Sequence, residues 1–151
     1  MSPNDTTLVL IVDDEPMDIA VMRNILESTQ EFSVFTATNY DEAVRVFDKR
    51  GRAIDLALID VALPGKNGVE LAKHLLSLNP DLRVLFVSGH VGASVIRFYG
   101  INAGDEHFLQ KPFESDRLLQ RVRQAVSSQK PLQFSRSASN AEDDISKTPG
   151  A

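Results

Sequence analysis

No cysteine occurs among the 151 residues. That removes disulfides, thiolate metal ligands and a thiol nucleophile from consideration, and it fits a reducing compartment. Long apolar runs are missing as well. A membrane-spanning helix needs roughly 20 apolar residues, whereas the run Leu8 to Val12 meets acids at once in Asp13-Asp14. The opening Met-Ser-Pro-Asn-Asp-Thr-Thr has no basic start of the kind a secretory signal carries. Positive charge is in short supply: 16 Lys and Arg stand against 21 Asp and Glu, for a net charge of −5. Phosphate backbones require clustered Lys and Arg, so direct DNA binding is not expected. What is present is ordinary for a soluble globular chain, 42% apolar and 25% charged. The length suits one domain, which buries about 70% of its unfolded surface. The expectation is a cytoplasmic protein.

The pattern of apolar residues organises the chain. Leu8 to Val12 is a short continuous run bounded by polar residues, the signature of a strand buried on both faces. It ends in Asp13-Asp14-Glu15-Pro16, where proline and acids favour the first turn of a helix. Val21 with Ile25, and Met22 with Leu26, supply that helix with an apolar face. Phe32 to Thr36 reads as a second strand. Asn39 followed by Glu42 has capping spacing, and the helix after it turns Ala43, Val46 and Phe47 inward before Gly51. The third strand runs through Ile54-Asp-Leu-Ala-Leu-Ile to Asp60, and Pro64-Gly65 and Asn67-Gly68 follow. Val69, Ala72, Leu75 and Leu76 mark a helix that must stop before Asn79-Pro80. Arg83 to Val87 is a fourth strand closed by Ser88-Gly89. A helix is expected from Ala93 to about Ala103, then a short strand His107-Phe108-Leu109 before Gln110-Lys111-Pro112-Phe113. Leu118, Val122, Ala125 and Val126 define the last helix. Five strand-helix units predict an α/β protein, a doubly wound five-stranded parallel sheet with five helices, for which 2-1-3-4-5 is a permitted order. Residues 1–7 form a lead, residues 8–127 the domain, and residues 128–151, poor in large apolar side chains, are read as a disordered tail.

Four strands of that sheet end in chemically useful residues: Asp13-Asp14, Asp60, Ser88 and Lys111. Open α/β sheets place ligand sites at this edge. Carboxylates gathered there repel one another by roughly 4 kcal/mol per pair at about 4 Å and an effective dielectric near 20. A hard divalent ion such as Mg²⁺ relieves that repulsion and leaves positions open for phosphate oxygens. Lys111 adds a compact positive charge, and the Ser88 hydroxyl can donate to an oxyanion. Acid, metal, hydroxyl and ammonium together describe a place to hold a phosphoryl group. With no thiol, and no histidine evident as a base for the serine, Asp60 is the favoured nucleophile, giving an acyl phosphate. Taken singly these residues say little. Asp13-Asp14 could merely start a helix, Asp60 could be a cap, and Lys111 a solvated lysine. His74, His90 and His107 are too scattered for a metal set and read as surface or loop residues, while Arg117 and Arg121 read as a solvated helix face.

In this order the motifs resemble a receiver domain of bacterial two-component signalling, similar to the chemotaxis response regulator. The resemblance rests on Asp13-Asp14, Asp60 before Val-Ala-Leu-Pro-Gly-Lys-Asn-Gly, Ser88-Gly89 and Phe108-Leu-Gln-Lys-Pro-Phe113, and it covers about Leu8 to Ser127. It implies that Asp60 accepts a phosphoryl group from a phosphohistidine on a histidine kinase or histidine phosphotransfer protein. It implies Mg²⁺ ligation by Asp14, Asp60 and the backbone carbonyl of Ala62, with Asp13 acting through water. Ser88 and Lys111 would contact phosphoryl oxygens, and the Lys111-Pro112 peptide bond would be cis. The family's switch couples the hydroxyl residue to an aromatic ring, here Phe108. Many relatives have tyrosine at that position; Phe108 keeps the ring but lacks the hydroxyl that a hydrogen-bonded switch uses, and it can equally be read as core. Ala62 and His90 fall where relatives vary, at positions that influence acyl-phosphate lifetime.

The expected role is signalling rather than metabolic catalysis: a stand-alone receiver whose phosphorylation alters contacts with a downstream protein, with homodimerisation left open. No helix-turn-helix pattern follows Ser127 in this sequence, so the expected output is protein contact, relay to a phosphotransfer histidine, or an effect on a kinase. A receiver cut from a hybrid histidine kinase is the alternative, which the Met start disfavours. A phosphohydrolase of the haloacid dehalogenase type is the enzymatic rival. It places its nucleophile in an Asp-x-Asp on the first strand and its acidic pair last, the reverse of the order here.

Overall fold

A computed structural model describes residues 6–89, 101–102, 107–128 and 133–134. Strand β1 (Thr7–Val12) lies between β2 (Phe32–Ala37) and β3 (Leu56–Asp60), and β4 (Arg83–Ser88) extends the sheet to β6 (Phe108–Gln110). All four pairings are parallel. The order β2-β1-β3-β4-β6 is the expected 2-1-3-4-5, with β6 as the fifth strand of the sheet. A short pair, β5 (Ile101–Asn102) with β7 (Gln133–Phe134), is antiparallel and separate from this sheet. The sequence reading placed no strand at either segment. The helix expected from Ala93 lies almost wholly outside the described residues.

Alternation along the central strands divides the core in two. Leu10, Val12, Ala57, Ile59, Val84 and Phe86 point to one face, where α2 (Tyr40–Arg50) supplies Ala43 and Phe47 and α3 (Gly68–Leu78) supplies Val69, Ala72 and Leu75. Val9, Ile11, Leu56, Leu58, Leu85 and Val87 point to the other. There α1 (Pro16–Glu27) brings Met22 and Leu26, and α4 (Ser115–Ser128) brings Leu118, Val122 and Ala125. A strand covered on both faces has no polar side to show. This is why β1, β3 and β4 read as unbroken apolar runs rather than alternating ones.

Local chemistry sets where the helices begin. Pro16 opens α1, with Glu15 at the N-cap and no side-chain cap. Asn39 caps α2 by accepting from the Glu42 N–H at 2.8 Å, while the Glu42 carboxylate accepts from the Thr38 N–H at 2.6 Å. At α3, Asn67 and Glu70 form a reciprocal capping box. One expected core residue is displaced: Val21 is 48% exposed, and α1 buries Met22 and Leu26 instead.

Candidate functional site at the carboxyl edge of the sheet

The register of the strands assembles the site. Val12 is level with Ile59, so the next residues, Asp13 and Asp60, emerge side by side. Ser88 pairs with Gln110, which delivers Lys111 immediately beyond that row. The Lys111 N–H donates to the Ser88 carbonyl at 2.7 Å, and the Lys111–Pro112 peptide bond is cis. Beyond Asp60, Val61 and Leu63 are buried in the α2–α3 core, while Ala62 between them is exposed. Gly65 takes a positive φ of 75° in the Pro64-Gly65 turn, a conformation open to glycine at little cost.

Gly68 completes this support. A Cβ built there would run into the Asp60 carbonyl oxygen and lie 2.8 Å from Ile59 Cγ2. The start of α3 is therefore pressed against the backbone of the strand that carries Asp60. The Gly68 N–H also donates to the Val61 carbonyl at 3.0 Å.

Asp13, Asp14 and Asp60 each offer an oxygen within 4.8 Å of the others. Asp13 and Asp60 are buried and Asp14 is exposed. Asp13 Oδ1 accepts from the Glu15 N–H and Asp60 Oδ1 from the Ala62 N–H, both at 2.9 Å. Lys111 Nζ donates to Asp13 Oδ2 at 2.7 Å, Asp18 Oδ2 at 2.8 Å and Asp60 Oδ2 at 3.3 Å. Burial pushes the Asp13 carboxyl pKa up, and the Lys111 ammonium and Glu15 N–H oppose that rise only in part. Burial alone would lower the Lys111 pKa, but hydrogen bonds to Asp13 and Asp18 and the Asp60 charge raise it well above the ordinary lysine value. The ammonium thus stays charged and offsets carboxylate repulsion.

Ser88 is buried at the end of β4. Phe108 is partly buried and packs against the α2–α3 core, and His90 lies outside the described residues. His107, read as a surface or loop residue, is 4% exposed at the entry to β6. Asp18 was not singled out in the sequence. It sits in the first turn of α1, where an acid reads as a favourable partner for the helix dipole. Its link to Lys111 spans 93 positions, so no local pattern announces it.

A doubly wound parallel sheet with an acidic cluster and a lysine at its carboxyl edge defines the class. The response regulator receiver domain model matches residues 9–123. The chain belongs to that family of two-component signalling domains. It is 30% identical over 142 residues to the C4-dicarboxylate transport transcriptional regulatory protein DctD of Rhizobium meliloti, covering 92% of this chain and 29% of that protein. It is 34% identical over 130 residues to the hydrogenase transcriptional regulatory protein HoxA of Cupriavidus necator, covering 85% of this chain and 26% of that protein. The chain therefore spans less than a third of either relative. Among solved structures, the receiver domain of NtrX from Brucella abortus superimposes with a TM-score of 0.67 at 30% identity, covering 80% of this chain and 99% of that one.

Proposed function

We propose that the chain is a phosphoacceptor receiver in which Asp60 takes a phosphoryl group from a phosphohistidine. The observation that carries the reading is the placement of Asp60 between a close acidic pair and a charged lysine. An Asp60 carboxylate oxygen attacks phosphorus and forms the new P–O bond. The P–N bond breaks, and its electron pair stays with the donor's imidazole. Lys111 neutralises charge on the phosphoryl oxygens, and Ser88 contacts them from the neighbouring strand. All three oxygen donors are hard carboxylates set within a small space, a fit for Mg²⁺. Asp14, Asp60 and the Ala62 carbonyl would hold the ion, with Asp13 beside it through water. When bound, it supplies charge neutralisation to the transferring group.

In this reading residues 8–127 are the working unit, and Ser88 and Phe108 are the switch that alters protein contacts. The phosphodonor is a histidine kinase or a histidine phosphotransfer protein, and the setting is cytoplasmic. The curated relatives are transcriptional regulators longer than this chain, so the output partner is proposed by chemistry alone: a protein that distinguishes the two states of Asp60.

Incubation with Mg²⁺ and a small phosphodonor, followed by intact-mass measurement, tests the reading. The wild type is expected to gain one base-labile phosphoryl group and Asp60→Asn none. A wild type that gains none would remove the proposal.

A further inference from the structure

Among the described residues Lys111 is the cation facing the acidic cluster, and an ammonium has three protons to donate. Each is directed at a different carboxylate: Asp13 at 2.7 Å, Asp18 at 2.8 Å and Asp60 at 3.3 Å. The longest contact is to the proposed phosphoacceptor. Asp18 enters from α1, and beside it a cavity of about 400 Å³ opens, lined by Asp18, Val21, Gly89, Lys111, Pro112 and Phe113. The side chain of Asp18 is 43% exposed, against 0% for Asp13 and 10% for Asp60. Asp18 can therefore release the ammonium to solvent-side partners more cheaply than the buried acids can. Asp13 and Asp60 belong to the acidic cluster, whereas Asp18 is outside it.

We propose that Asp18 is a positioning residue that competes with the phosphoryl group for Lys111, holding the ammonium toward α1 until Asp60 is modified. This rests on the phosphoacceptor reading of Asp60. To reach phosphoryl oxygens on Asp60, Lys111 gives up or lengthens its bond to Asp18. That bond therefore favours the unmodified state. A carboxylate at this position also adds one more negative charge near an incoming anion. Both effects run in the same direction, but only the first passes through Lys111. Half-exposed ion pairs are weak, so the expected gain on removing the Asp18 charge is roughly two- to fivefold in affinity.

The probe is beryllofluoride with Mg²⁺, a phosphoryl mimic, titrated against wild type, Asp18→Asn, Asp18→Glu, Lys111→Ala and the double variant Asp18→Asn/Lys111→Ala. The expected results are tighter binding by Asp18→Asn, near wild-type affinity in Asp18→Glu, and no further gain from Asp18→Asn once Lys111 is alanine. Phosphorylation by a small phosphodonor should speed up in parallel. A gain that persists undiminished in the Lys111→Ala background overturns the proposal, because Asp18 then acts by charge alone. Weaker binding by Asp18→Asn also overturns it, since Asp18 would then be a support and not a competitor. Should the wild type take neither beryllofluoride nor a phosphoryl group, the phosphoacceptor reading falls and this proposal with it. Wild-type uptake with an unchanged Asp18→Asn variant removes the proposal alone.

Discussion

Gly68 shows how little room a single residue leaves at this site. Its missing side chain lets the first turn of α3 press on the Asp60 carbonyl. Adding one methyl group forces either the helix or the strand end to move, and overpacking of this kind costs about 1–3 kcal/mol. Gly68→Ala is expected to unfold at lower urea concentration and, under the proposed role of Asp60, to accept a phosphoryl group more slowly than wild type. Urea melts and intact-mass time courses read the two effects separately. The Asn67-Gly68 pair is visible in the sequence just ahead of the next helical pattern. The demand for glycine in particular is not, because the atoms it avoids belong to Ile59 and Asp60, fixed in place only when α3 packs. Asp18 is hidden for the same reason. Its partner lies 93 positions away along the chain, and only the parallel sheet brings them together.

At the scale of elements, the loop from Val61 to Asn67 is held at both ends. Val61 and Leu63 are anchored in the core, and the Asn67–Glu70 capping box fixes the start of α3. Asn67 Oδ1 accepts from the Glu70 N–H at 2.9 Å, satisfying a donor that the helix itself leaves open. Asn67→Ala is expected to lower stability by about 1 kcal/mol, with Asn67→Asp close to wild type. Equilibrium denaturation checks both. The strands and helices were largely legible because their apolar spacing matches their burial: Met22 and Leu26, Ala43 and Phe47, Leu118 and Val122 all lie inward. Val21 was misplaced because apolarity at one position does not say which of two adjacent helix faces meets the sheet. The β5–β7 pairing was illegible, since a two-residue ladder has no periodicity to read.

For the molecule as a whole, the acidic site contributes to how stability depends on pH. Asp13 is fully buried, and burial raises its pKa above the ordinary value despite Lys111 and the Glu15 N–H. A raised carboxyl pKa means the folded state binds the proton more tightly than the unfolded state. Its contribution to stability is therefore complete below the unfolded value of about 3.9 and is lost as pH rises through the folded pKa. At neutral pH the Asp13 charge is a net cost. Asp13→Asn removes the buried charge but keeps only one of the two oxygens that accept from the Glu15 N–H and from Lys111, so its stability relative to wild type is expected to rise from acid toward pH 7 without metal. Urea denaturation across pH with a chelator present measures it, and a relative stability that falls as pH rises would contradict the sign.

The sequence alone determined the parallel α/β architecture, since buried strands and amphipathic helices carry their burial in their periodicity. It also determined which residues stand at strand ends, because Asp13, Asp60, Ser88 and Lys111 each terminate or follow an apolar run. Tertiary structure decided what those residues do to one another. Register set Asp13 beside Asp60, and packing pressed Gly68 behind the Asp60 backbone. The fold of α1 over the sheet edge gave Lys111 a third carboxylate in Asp18. Periodicity is a local property written along the chain, whereas distances between charges arise only when remote segments are packed.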